Sequence, residues 1–265
     1  MRIVGVGRGL FAISVAGLAI LSLVYHDFAP TWQSLPAWIP GRDMWGYGSG
    51  LLLLAASAAL CFPRTALPSA FIIGAYLAVC ALLSAGPVAS KPLSIGAWYG
   101  FFEGLTAFLG VWILYAMLRR QSDMTEASPF ASERAVRTAQ FLFGLACVFY
   151  GSSHFVYDDY TASMVPGWLP ARMGFAYFTG LGHLAAGIGI AVDILPRLAA
   201  TLEALMMSLF GLLVWAPSLW ENPTPAWATP PRTQWSEIVV TVLLAASAWI
   251  IAASMQNRPW GFAKS

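Results

Sequence analysis

Charge is what this chain has least of. Only 10% of its 265 residues are charged, against roughly 25% in an ordinary soluble domain, while 58% are hydrophobic and mean hydropathy is +0.69. So few charges cannot cover a water-exposed surface, which excludes an ordinary soluble globule. A net charge of +2, with no basic patch interleaved with aromatics, excludes a nucleic-acid partner. Cysteine is scarce as well. Cys61, Cys80 and Cys147 fall within apolar runs and never as Cys-x-x-Cys, so they read as small buried side chains rather than a thiol relay or a metal knuckle. No metal site is expected. The Gly-x-x-x-x-Gly-Lys, His-Glu-x-x-His and Gly-x-Ser-x-Gly signatures are absent, as is a dinucleotide fingerprint, and no catalytic residue can be assigned.

What the chain does have is long apolar runs, at roughly 9–25, 44–61, 66–85, 94–118, 134–156, 173–192, 198–215 and 234–255. Most approach the ~20 residues that a helix needs to cross a bilayer core. They are continuous in Leu, Ala, Gly and Phe and do not alternate, so helices rather than barrel strands satisfy the backbone. The expectation is an all-α membrane protein with eight transmembrane helices, in contact with the lipid bilayer. The first run follows a basic start, as a secretory signal would, but no small-residue cleavage site follows Tyr25-His26 and its counterpart at 134–156 is internal, so it reads as a helix.

That counterpart belongs to an internal repeat. Shifting by 130 places Pro36 on Pro166, Trp38 on Trp168, Pro40 on Pro170, Arg42 on Arg172, Tyr47 on Tyr177 and Gly50 on Gly180. His26 pairs with His154, and Pro63-Arg64 with Pro196-Arg197, at slightly different offsets. The chain divides into a first four-helix repeat (1–118), a polar linker (119–133) carrying Asp123 and Glu126, and a second repeat (134–265). Four helices per copy is an even number, so the two repeats share one orientation, related by an axis along the membrane normal. Ten Lys and Arg fall on one side of such a topology and four on the other, which puts both termini in the cytoplasm. Trp38 and Trp168 then read as wedged caps on the outer face or as interfacial anchors, and Asp158 and Asp159 stand where Arg172 could pair with them.

Ionisable side chains at bilayer depth are the site candidates, because each costs roughly 2.5–3.5 kcal/mol to insert and turns towards protein or water. His183 lies ten residues past Met173, and its neighbours one turn away, Thr179, Gly180, Ala186 and Gly187, are small enough to admit another helix. It points into the bundle, and both a hydrogen-bonded structural role and a ligand-binding role fit it. Its counterpart in the first repeat is Leu53. Glu103 shares a helix with Gly96, Gly100 and Gly104 and reads as protein-facing, as a proton donor or an interhelical hydrogen bond. Glu237 reads as interfacial or helix-capping, and Glu203 as snorkelling or paired near the cytoplasmic end. Haem between His154 and His183 is disfavoured, because His154 sits near the outer boundary and His183 roughly 15 Å deeper.

With Ser153-His154-Phe155, Val165-Pro166-Gly167-Trp168-Leu169-Pro170, Tyr177-Phe178-Thr179-Gly180 and His183-Leu184-Ala185-Ala186-Gly187, the second half resembles the DoxX-like family of bacterial four-helix membrane proteins. The first half looks like a diverged copy without the histidine. The resemblance implies a bacterial cytoplasmic-membrane protein tied to redox or quinone chemistry, with a soluble or membrane oxidoreductase as partner. On that reading the chain holds a quinone or another lipophile near His183, with Tyr177 and His154 towards the outer surface and Glu103 as proton partner. A transporter for a small solute and a ligand-free assembly protein are the alternatives.

Overall fold

The computed structural model describes residues 2–29, 33, 35, 38–122, 128–221, 225 and 228–261, with the side chains of 2–4 excepted. Pro36, Asp123 and Glu126 lie outside the described residues. Among those described there is no strand. The helices are α1 (Arg2–Tyr25), α2 (Arg42–Leu60), α3 (Ala66–Leu83), α4 (Ala85–Ser90), α5 (Ile95–Gln121), α6 (Glu133–Val156), α7 (Asp158–Met164), α8 (Arg172–Ala191), α9 (Pro196–Phe210) and α10 (Pro231–Ser254). A π-helical turn, Gly211–Trp215, continues α9.

Local chemistry fixes the ends. Ser94 and Ser132 accept hydrogen bonds from the Ala97 and Ala135 N–H groups at the starts of α5 and α6, satisfying donors a helix leaves over. Pro196 and Pro231 open α9 and α10, where a missing N–H costs nothing. Arg119 and Arg120 stand in the last turn of α5, where a cation meets the negative end of the helix dipole. Between α7 and α8 the prolines at 166 and 170 hold the chain out of helix until Arg172.

Among the described residues seven helices are long and apolar enough to cross a membrane, which makes this a multi-pass helical membrane protein. The eighth expected span, α2, forms a helix of 19 residues, about 28 Å at 1.5 Å per residue. It is not among the seven; its first half, from Arg42 to Gly50, is rich in glycine and polar groups.

The long helices pack in a closed sequence: α1 on α2, α2 on α3, α3 on α5, α5 on α6, α6 on α8, α8 on α9, α9 on α10, and α10 back on α1. Helices α5 and α10 also touch across the middle, with Gly110 against Ser247. Two rings of five helices therefore share α5 and α10. Buried side chains such as Phe11, Leu53, Leu60, Ala70 and Ile73 occupy the first ring, of α10, α1, α2, α3 and α5. The second, of α5, α6, α8, α9 and α10, surrounds a cavity.

At the end of the bundle where α1 finishes, Asp27 binds Arg42 at 2.7 Å and Arg232 at 2.9 Å, tying the starts of α2 and α10 to the end of α1. At the opposite end Arg137 donates to the Ile190 and Ala191 carbonyls, closing the end of α8. Arg137 also pairs with Asp193 at 3.7 Å, so each end of the bundle carries an ionic staple.

Candidate functional site

The site begins with glycines. Helices α6 and α8 meet at two points a heptad apart, Gly144 with Gly187 and Gly151 with Gly180, where a Cβ added at Gly144, Gly151 or Gly187 would come within 2.5–2.8 Å of the facing backbone. Small residues of this kind let helices associate in lipid, where no hydrophobic force draws them together. The small-residue face of α8 does admit a neighbouring helix. The glycines around Glu103 in α5, by contrast, do not form one strip: Gly96 lies under Tyr157, Gly100 faces open space and Gly104 faces α3.

This close crossing brings two histidines together. The His154 and His183 ring centroids are 5.1 Å apart, at 72° to one another. The expected difference in depth is thus corrected. Helix α8 starts well beyond the end of α6, so a residue eleven positions into α8 is level with one two positions from the end of α6. The two histidines lie level, so mismatched depth does not exclude haem between them. Phe210, at the junction of α9 with its π turn, packs 5.7 Å from His183 and 6.1 Å from His154, and Tyr150 packs 5.8 Å from His183. Single-turn π segments often accompany functional sites, and this one follows directly on Phe210.

His183 is 1% exposed and Glu203 0%. The Nδ1–H of His183 donates to both carboxylate oxygens of Glu203, at 2.8 and 3.1 Å. Snorkelling is therefore the wrong reading of Glu203, and pairing the right one. The signal was present in the sequence: buried Pro196, Ala200, Glu203, Ala204 and Met207 follow helical spacing, so the carboxylate lies in the middle of the inward stripe of α9. Beside Glu203 lies the buried thiol of Cys147. His154 uses its Nδ1 differently, at 3.1 Å from the Ala176 carbonyl and 3.0 Å from the Thr179 hydroxyl, which itself donates to the Phe175 carbonyl. Neither Nε2 has a hydrogen-bond partner among the described residues, and neither is sealed from the molecular surface. Both histidines line the cavity.

The cavity holds about 1270 Å³ and its wall is mainly apolar. Along α8 and α9 that wall includes Phe178, Ile188, Leu202 and Leu205, all exposed, so the two helices do not seal it. Val165, Pro166 and Leu169 line the end covered by the Pro-Trp-Pro connection. A second polar cluster faces the same space from the shared helices. Glu103 of α5 interacts with Tyr99 and with Glu237 of α10, and Glu237 also bears on Tyr160 of α7. Tyr160, outside the spanning helices, has its phenol pushed up, first by burial and then by that carboxylate. Glu237 belongs to the cavity wall rather than to the cap of α10, where Thr229 donates to Gln234 instead. The Tyr150 hydroxyl donates to the Phe102 carbonyl and meets Thr106, pinning α6 to α5 between the two clusters.

Of the residues singled out in the sequence, His183, His154 and Glu103 share this cavity. Tyr177 does not line it: its ring stacks on Phe155 and its hydroxyl donates to Asp158 at 2.8 Å. That bond engages Asp158, one of the two carboxylates that could pair with Arg172. His26 lies beyond the end of α1 with φ +55°, against Tyr47, and is not placed as His154 is. Trp38 and Trp168 are 79% and 71% exposed, so they project instead of wedging and suit the interfacial alternative. Glu203 and Glu237 are the members of the site that sequence reasoning set aside.

A family model described as a domain of unknown function (DUF8561) matches residues 143–252. The matched stretch is less than half of the chain and contains His154, His183, Glu203 and Glu237. No curated protein and no solved structure matches the chain.

Proposed function

We propose that this protein binds a lipophilic molecule with a polar head, of quinone type, in the cavity of the second ring, and that it serves as a membrane subunit in a redox process. The observation that carries this reading is the His183–Glu203 pair beside His154, with two free imidazole edges opening into a large, mainly apolar space. An apolar cavity with a few convergent polar groups is the usual form of a small-molecule site. Its unsealed wall between α8 and α9 suits a ligand that arrives from the bilayer. The lining away from the two polar clusters is apolar, which favours a lipophile over a water-soluble solute.

The same reading includes eight spans in two four-helix units of one orientation, with both termini in the cytoplasm of a bacterial inner membrane. Supporting it, the packing repeats itself: α1 with α2 corresponds to α6 with α8, α3 with α5 to α9 with α10, and α1 with α10 to α6 with α5. The family match to the second half alone is consistent with a unit of that size. The DoxX-like resemblance and the oxidoreductase partner belong to this proposal too.

The test is whether the full-length protein, purified in mild detergent, carries a lipophile detectable by mass spectrometry of its organic extract, and whether a short-chain quinone quenches its tryptophan fluorescence saturably. Binding weakened about tenfold by His183→Ala, the loss of one hydrogen bond in a desolvated site, is the expected result. No bound lipophile, together with unsaturable quenching, overturns the reading.

A further inference from the structure

The hydrogens on the two imidazoles define what the ligand must offer. The Nδ1 of His154 faces the Ala176 carbonyl, which only accepts hydrogen bonds, so that nitrogen carries the hydrogen. The ring orientation and tautomer of a histidine are set in this way by the partner of its other nitrogen. Of the two rings, Glu203 touches only that of His183. His154, 5.1 Å away, has no carboxylate to balance a second ring hydrogen. Its Nε2 is then a bare lone pair turned to the cavity. The Nε2 of His183 opens into the same space.

We propose that the polar end of the cavity recognises a hydroxyl group, so that the ligand is a phenol or quinol rather than a quinone. A hydroxyl can donate to His154 Nε2 while its oxygen faces His183. A carbonyl or an ether has no hydrogen to donate and leaves the His154 lone pair desolvated without a partner. This assignment rests on the lipophile-binding reading and narrows it to the donor-bearing, reduced form. The aromatic rings of Phe210 and Tyr150 beside the two histidines suit a flat ring bearing that hydroxyl.

The test compares 4-octylphenol with its O-methyl ether, 4-octylanisole, by fluorescence titration of the full-length protein in lipid nanodiscs. The two probes share a tail and a ring and differ in one donor hydrogen. The phenol is expected to bind about tenfold tighter, one hydrogen bond in a desolvated site. The His154→Phe variant should bring that ratio near one while leaving the ether's affinity within about twofold. Equal binding of the two probes to the wild type overturns hydroxyl recognition and leaves lipophile binding standing. So does saturable binding of a short-chain quinone when neither probe binds. If none of the three binds, both readings fall. The wild-type ratio decides the matter even if the variant does not fold.

Discussion

Taking one partner away from the His183–Glu203 pair exposes how much of the second ring depends on it. Both side chains are almost wholly enclosed, and the carboxylate grips one nitrogen with both oxygens. Breaking a buried pair from one side costs about 3–5 kcal/mol, because the survivor is left uncompensated. At roughly 2–4 °C per kcal/mol for a chain of this length, Glu203→Ala should lower the melting temperature by about 6–20 °C. Shifting the Pro63-Arg64 and Pro196-Arg197 pairs onto each other places Glu203 on Ala70, as His183 falls on Leu53, and both of these are buried in the first ring. The double variant His183→Leu/Glu203→Ala thus gives the second ring the apolar pair that the first already has. It should melt closer to wild type than Glu203→Ala alone, with a coupling of at least about 2 kcal/mol between the two sites. Thermal unfolding in detergent, followed by the fluorescence of the 12 tryptophans, reads this directly. If Glu203→Ala melts within a degree or two of wild type, or the two single costs simply add, the pair is not a coupled buried unit and the reasoning fails.

Two helical glycines, one at a crossing and one facing open space, should behave oppositely. Gly187→Ala sets a methyl 2.5 Å from the Gly144 carbonyl oxygen and must part α6 from α8, whereas Gly100→Ala meets nothing within 4 Å and should be neutral or stabilising by up to about 1 kcal/mol from helix propensity; melting temperatures of the two variants check the contrast. At the α1 end, burial raises the Asp27 carboxyl, but the Arg232 hydrogen bond, the Phe28 N–H and Arg42 outweigh it and hold the group below its ordinary 3.8. A folded value lower than the unfolded one gives stabilisation that is present above pH 3.8 and lost as pH falls through the folded value, so Asp27→Asn should melt lower than wild type at neutral pH and the gap should close in acid.

The sequence by itself determined the class of molecule. Continuous apolar runs must become helices where the backbone has no water to bond, and seven of the eight runs give helices apolar enough to span. It also marked out His183 and the small faces around Gly180 and Gly187, because periodicity within one helix is a local property. It did not fix depth across helices. His154 and His183 appeared 15 Å apart only while each was measured along its own helix. The antiparallel offset of α6 and α8, set where glycine lets backbones touch, brought them level. The same holds for the carboxylates. Glu203 looked like a surface group when counted from Arg197, and Glu237 like an end-of-helix group when counted from Pro231. Which way each faces was decided by the two rings sharing α5 and α10, which turn Glu103 and Glu237 towards one space and Glu203 onto His183. Helix formation depends on neighbours three and four residues away, whereas a binding site depends on how far one rigid helix slides and turns against another. That relation is fixed only by packing.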